Sequence, residues 1–261
     1  MIYKFPLAAC AEMLWTDKPF DWRVSRLTEM GFGVGIWNWI DHDVDQLEKI
    51  KANYTIMNGY LVGSLADEKG ADELIESIKE TIVVGKRLNV SRLNLHGTGL
   101  GEGGIPIKQN NNPSKEMWIK ANDTLNRVCD IAEKEGVVFT LENLNLLDHP
   151  GCPFNSTADV YELVSKINRP QLKINLDLYH TQIGEGDVIR WCKKCLDYIG
   201  EVQVADNPGR CEPETGEMNY KLIAKSLYDM NYRGPVGLES FASNNPELAL
   251  ERFEKAFTID L

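Results

Sequence analysis

Throughout the chain, short apolar runs of strand length alternate with longer segments whose apolar residues recur at helical spacing. Residues 3–9 read as a strand and 20–30 as a helix; 33–37 and 44–52 form the next pair. Residues 55–62 are a third strand, and 72–88 a long helix with Leu74, Ile75, Ile78, Ile82 and Val83 on one side. Residues 92–96 are a fourth strand. A polar, Gly-rich stretch from Gly97 to Asn112 follows, and Pro113-Ser114 opens a helix through Glu135. The rhythm then repeats, with strands over 137–141, 172–176, 199–204 and 236–238. Helices over about 157–167, 187–196, 220–230 and 246–257 follow them in turn, the first capped by Ser156 or Thr157.

These are eight strand–helix units with no linker or shift in composition, so residues 1–261 are expected to form one domain. The strands are continuously apolar, which argues for a parallel sheet covered by helices on its outer face. Eight units argue for closure into a single (β/α)8 TIM barrel. An open, doubly wound sheet would carry a phosphate-binding glycine fingerprint after an early strand, and none is present. In the barrel, the C-terminal ends of all strands face one mouth.

Composition narrows the partners. A net charge of −11 and an isoelectric point near 4.9 argue against nucleic acid or an anionic membrane and leave a small-molecule substrate. No segment approaches the roughly 18 consecutive apolar residues of a membrane span. Leu7-Ala8-Ala9-Cys10 imitates a lipoprotein cleavage box, but Lys4 and Pro6 break the short apolar stretch before it. Six cysteines in a chain of 261 residues do not suggest a disulfide scaffold, and a cytoplasmic setting fits them. Cys192-Lys193-Lys194-Cys195 has redox spacing, but that spacing also fits one helix face with no thioredoxin context.

The candidate chemistry lies at the last four strand ends. Glu142, Asp177, Gln203 and Glu239 each close an apolar run, where a buried carboxylate or amide needs a partner. Together they offer only oxygen ligands, the donor set of one hard divalent cation, Mg²⁺ or Mn²⁺. One acid at a barrel rim reads first as a helix cap or lysine partner; for four on successive strands that reading becomes the lesser one. His180, three residues after Asp177, can share its side of the cleft and orient a substrate oxygen. Arg210 offers a fork for a carboxylate or hydroxyl, or a surface pair with Glu212 or Glu214. His96 ends the fourth strand and either lines the mouth to meet substrate or satisfies the Gly-rich loop behind it. Trp15, Trp37 and Trp39 near the first strand ends suit either sugar stacking or core packing. The glycines of 97–104 stand too far before the next helix to cradle phosphate, and read as a loop over the mouth.

These residues resemble the xylose isomerase-like barrels, and within them the hydroxypyruvate isomerase branch. The resemblance rests on Leu141-Glu142-Asn143-Leu144-Asn145, Pro150-Gly151, Asp177-Leu178-Tyr179-His180, Glu185-Gly186-Asp187, Asn207-Pro208-Gly209-Arg210, Glu212-Pro213, Thr215-Gly216-Glu217 and Asn219-Tyr220. Met13-Leu14 and Pro19-Phe20 also match, although the likeness is thinner before Val137. It implies a divalent metal on Glu142, Asp177, Gln203 and Glu239, with Glu142 and Glu239 as an acid/base pair on opposite faces of the substrate. It also implies that His180 and Arg210 touch substrate, and that the chain assembles as a dimer or tetramer. The chain departs from the branch in three places. Cys211 replaces a His before Glu-Pro, residues 35–39 lack an acid, and Glu12 stands where a small polar residue is common. These departures, at the substrate end of the pocket, favour a tetrose, pentose or branched pentose over hydroxypyruvate. The expected activity is aldose–ketose isomerisation of a small sugar or hydroxy-carbonyl compound through an enediolate. A ketose 3-epimerase would use the same two glutamates. A DNA-repair endonuclease of this barrel family would need more histidines and a cationic surface, and a non-catalytic binding barrel would not need the acid pair.

Overall fold

The computed structural model describes residues 2–260. Eight parallel strands close into a barrel in sequence order: β2 (Leu7–Cys10), β3 (Gly33–Ile36), β4 (Tyr54–Asn58), β5 (Leu93–Leu95), β6 (Phe139–Glu142), β7 (Leu172–Asp177), β8 (Ile199–Val204) and β9 (Val236–Leu238). Strand β2 pairs with both β3 and β9, which leaves no free edge in the barrel. Outside it, β1 (Ile2–Lys4) pairs antiparallel with β10 (Thr258–Asp260). The expectation of a (β/α)8 barrel from apolar rhythm is met.

The helices are α1 (Phe20–Glu29), α2 (Val44–Ile50), α3 (Glu68–Arg87), α4 (Lys115–Glu135), α5 (Thr157–Ile167), α6 (Leu178–Gly184), α7 (Val188–Cys195), α8 (Tyr220–Asp229) and α9 (Pro246–Ala256). Short polar side chains set their starts. Asp43, Asp67, Ser114, Ser156, Asn219 and Asn245 each accept a hydrogen bond from an N–H in the first turn of the helix that follows. Each longer helix turns an apolar stripe onto the sheet; α3 buries Leu74, Ile75, Ile78 and Ile82 there, whereas Val83 faces outward.

The boundaries differ from the sequence reading where local chemistry intervenes. The strand expected over 3–9 is split at Phe5-Pro6. Pro6 has no N–H to donate, and its carbonyl accepts from Val236 N at 2.9 Å while the preceding residues pair with the C-terminal strand. The strand expected over 55–62 runs from Tyr54 to Asn58, and α3 starts at its Asp67 cap rather than at Asp72. Helix α6 directly follows β7, where no separate element was anticipated. Cys192 and Cys195 are buried free thiols on α7, each pushed up to about 12 by burial, which suits the packing reading and not a redox pair. No described helix is long and apolar enough to cross a membrane.

Candidate active site

Strand register decides which side chains share the barrel interior. Glu142 lies beside Asn175, Asp177 beside Gln203, and Gln203 beside Gly237. Along each strand, inward positions recur every second residue. Hence Asn94 precedes His96, Thr140 precedes Glu142, Asn175 precedes Asp177, and Glu201 precedes Gln203, each by two. The result is a polar floor beneath a ring of acids. Above it opens a cavity of about 730 Å³, lined by Glu142, Gln203, Glu239, His96, His180, Arg210 and Trp37 among others. Gly97 lets the far side close: a Cβ there would meet Pro153 O at 1.9 Å.

Glu142 is 5% exposed, and its Oε2 gathers three contacts. Asn175 Nδ2 donates at 3.0 Å, Asn94 Nδ2 donates closely, and His96 Nε2 lies at 3.2 Å. Burial would raise its pKa, but the His96 and Asn94 contacts outweigh that and hold the carboxyl below its ordinary value. His96 is itself fixed by Tyr60, whose hydroxyl lies 3.1 Å from Nδ1 and donates to Thr98 O at 2.7 Å.

Asp177 ends β7 and caps α6, accepting His180 N at 3.0 Å through Oδ1. The amide of Asn143 clamps its backbone, accepting Asp177 N at 3.0 Å and donating to Asp177 O at 2.9 Å. Burial, with the charges of Glu239 and Glu142 against the opposing pull of Arg210, pushes its carboxyl well up. Gln203 Oε1 accepts from Asn175 Nδ2 at 2.7 Å, so Asn175 joins Gln203 to Glu142. Glu239, just past β9, accepts the Trp37 indole N–H on Oε1 at 2.7 Å and Arg210 Nη2 on Oε2 at 2.6 Å. Burial and the Glu142 charge raise its pKa despite those two donors.

The hydrogen bonds of Asn145 fix the tautomer of His180. Asn145 Oδ1 accepts from Leu147 N and Asp148 N, both at 2.9 Å, which turns its NH₂ toward His180 Nδ1 at 2.6 Å. Nδ1 must therefore accept, and the single proton of the neutral ring sits on Nε2. Burial and the nearby Arg210, His149 and His96 keep the ring neutral by pushing its pKa well down. Nε2 is buried, has no partner, and lies 3.7 Å from Asp177 Oδ2.

Among the described residues, Glu142, Asp177 and His180 are the group whose ligand atoms lie within 4.8 Å of one another and could hold a metal. The tautomer makes His180 Nε2 a donor rather than a ligand, so a cation held by this group would meet carboxylate oxygens. Three buried carboxylates, Glu142, Asp177 and Glu239, share the site with one guanidinium, and a divalent ion would balance the remaining charge. Glu142 and Asp177 offer oxygens close together and the charge suits a divalent ion, whereas Glu239 lies outside that group.

The structure puts the remaining candidates in different roles. Arg210 lies over the Tyr179 ring at 5.1 Å, with Nη2 3.9 Å from Asp177 and its Nε buried without a partner. Trp37 lines the cavity; Trp15 packs in the core, and Trp39 Nε1 donates to Thr81. Glu12 does not line the cavity. Its carboxylate accepts Trp37 N at 2.7 Å and Cys10 Sγ at 3.3 Å, and lies 3.4 Å from His42, so it supports Trp37 from behind. The Gly-rich loop folds into a small hairpin whose tip carbonyl, Gly104 O, is held by His149 Nδ1 at 2.7 Å. Asn94, Asn143, Asn145 and Asn175 were not singled out from sequence, although the every-second-residue pattern ahead of Glu142, Asp177 and His96 marks two of them.

With this geometry in view, the likeness to known proteins is specific. The sequence profile of the xylose isomerase-like TIM barrel family matches residues 17–256, and the chain belongs to that family. Over 255 residues it is 27% identical to hydroxypyruvate isomerase of Escherichia coli (strain K12), covering 93% of this chain and 96% of the relative. It is 28% identical over 244 residues to 2-oxo-tetronate isomerase of Pectobacterium atrosepticum, covering 89% and 90%. Among solved structures, one titled as a family 2 AP endonuclease from Brucella melitensis superposes with a TM-score of 0.83 at 26% identity, covering 94% of this chain and 96% of its own. The chain is an enzyme of the isomerase class, as its curated relatives are.

Proposed function

We propose that this enzyme is a divalent-metal-dependent isomerase that shifts a carbonyl along a small sugar or hydroxy-carbonyl compound, with Glu142 and Glu239 as its proton carriers. One observation carries the reading: two buried glutamates from β6 and β9 enter one cavity on either side of Asp177, each held by fixed donors. A proton taken from the carbon next to a carbonyl must be returned at the neighbouring carbon, and two carboxylates in different surroundings can do this in turn. Glu142, Asp177, Gln203 and Glu239 would hold Mg²⁺ or Mn²⁺, which when bound supplies stabilisation of the developing oxyanion.

The remaining roles follow from the donors. His180 and Arg210 line the cavity, and His180 Nε2–H and Arg210 Nε–H, buried and without partners, would donate to substrate oxygens once the site closes on them. Asn145 keeps the His180 proton on the useful nitrogen, and Asn175 keeps Glu142 and Gln203 in register. The net charge of −11 supports a small-molecule substrate over nucleic acid or a membrane, and a dimer or tetramer in the cytoplasm remains part of the reading.

The test is deuterium wash-in. Metal-loaded protein in heavy water is incubated with three- to six-carbon aldoses and ketoses and followed by proton NMR. Exchange with a moved carbonyl supports the isomerase; exchange with the carbonyl retained and the neighbouring centre inverted identifies a 3-epimerase instead. Glu142→Gln or Glu239→Gln should abolish exchange while the fold persists, and wild-type-like rates in either variant would refute the assignment of the pair.

A further inference from the structure

We propose, resting on the isomerase reading above, that the substrate of this site is an uncharged polyhydroxy aldehyde or ketone of four or more carbons. The site would then discriminate against the 2-oxo acids that the names of its relatives denote. Charge is the first ground. Among the described residues lining the cavity, Arg210 is the only lysine or arginine, and its Nη2 already sits 2.6 Å from Glu239. The carboxylates of Asp41, Glu102, Glu142, Glu201 and Glu239 line the same space, with Asp177 beside them. Glu201 is balanced by Arg92 at 2.8 Å. A divalent ion together with Arg210 would balance Glu142, Asp177 and Glu239. Asp41 and Glu102 then remain, with no lysine or arginine within salt-bridge distance among the described residues. Asp41 and Glu102 are exposed and leave the mouth net negative, and a substrate carboxylate would meet no unpaired lysine or arginine there.

What the cavity does offer suits hydroxyl groups. His149, His180 and Arg210 line the cavity as residues, and each keeps one buried nitrogen without a partner, His149 Nε2, His180 Nε2 and Arg210 Nε. Three separated single positions match the hydroxyls of a polyol better than the two adjacent oxygens of a carboxylate. Trp37 and Phe241 line the mouth at 43% and 45% exposed, two aromatic faces open to the C–H face of a sugar. The Trp37 ring is fixed beside Glu239 by its own N–H, so a stacked substrate is held next to a proton carrier. The cavity of about 730 Å³ lies in the range of sites for ligands much larger than a three-carbon acid.

The experiment uses pairs differing only by CH₂OH against COO⁻: dihydroxyacetone with hydroxypyruvate, and erythrulose with 2-oxo-tetronate. Exchange of carbon-bound hydrogen is measured in heavy water with the Mn²⁺-loaded enzyme. Binding of each compound to Mn²⁺-loaded Glu142→Gln is measured by calorimetry. The expected result is at least a tenfold higher kcat/KM for erythrulose than for 2-oxo-tetronate. The acid should gain on the sugar as salt screens Asp41 and Glu102, and Phe241→Lys, which adds a cation at the mouth, should narrow the ratio at least tenfold. Faster exchange of either acid than of its neutral partner would overturn the proposal while leaving the isomerase reading intact. Exchange of none of these compounds nor of the three- to six-carbon panel above, with calorimetric binding of erythrulose alone, would overturn the isomerase reading and support the ligand class. Binding and exchange of neither member of either pair, and of no sugar in that panel, would overturn both.

Discussion

The contact between Trp37 and Glu239 gives a sharp test of how the site is held. Trp37→Phe keeps an aromatic ring at the cavity wall and removes one group, the indole N–H that donates to Glu239 Oε1 at 2.7 Å. A hydrogen bond to a charged acceptor contributes about 1.5–3 kcal/mol. Arg210 still holds Oε2 at 2.6 Å, so the carboxylate is not left alone, but its plane loses one of two anchors. If the N–H fixes the reactive orientation, its loss appears in the rate, and about 1.5–3 kcal/mol is roughly a ten- to 150-fold fall in kcat. Stability should barely respond because Trp37 is 43% exposed and the substituted ring covers most of the same surface; Tm is expected to move by no more than about 4 °C. The assay is single-substrate exchange kinetics in heavy water alongside thermal melting. An unchanged kcat with only a raised KM would show that Trp37 is a wall and not an anchor, and would refute this reasoning.

Other perturbations follow from the same geometry. Asn145→Asp keeps an acceptor for the N–H groups of Leu147 and Asp148 but replaces the donor facing His180 Nδ1. The His180 proton should move to Nδ1, as read by nitrogen-15 NMR, and kcat should fall at least about tenfold; an unmoved proton would refute the tautomer argument. Arg92→Met strands the buried Glu201 carboxylate, which is 1% exposed, and should cost about 3–5 kcal/mol in urea unfolding. A loss under about 1 kcal/mol would show that water reaches the barrel floor. Asp67→Ala removes the cap of α3 and should cost about 1 kcal/mol at neutral pH. Burial raises the Asp67 pKa, but the Lys108 and Gly70 contacts outweigh it and hold the carboxyl below its ordinary value. The contribution of Asp67 is therefore present above the unfolded-state pKa and lost as pH falls through the folded one. The gap between wild type and variant should close below about pH 4, and a gap that widens there would refute the sign.

The sequence alone determined the order of strands and helices, and with it the closed barrel. Period and length of apolar runs are local properties, and eight parallel strands have few ways to bury both faces. It also marked Glu142, Asp177, Gln203 and Glu239, because a charged or amide residue closing an apolar run shows in one dimension. Tertiary structure alone decided what each residue touches. The asymmetric holding of Glu142 by Asn175, Asn94 and His96, and of Glu239 by Trp37 and Arg210, joins residues up to 202 positions apart. Glu12 looked like a pocket residue and proved to stand behind Trp37, because a side chain's direction depends on the strand end that carries it. The proton on His180, on α6, was fixed by Asn145, 35 positions earlier in the loop after β6. Strand phase aims side chains into the barrel, but only closure brings those from different strands within hydrogen-bond reach, and the chemistry depends on that reach.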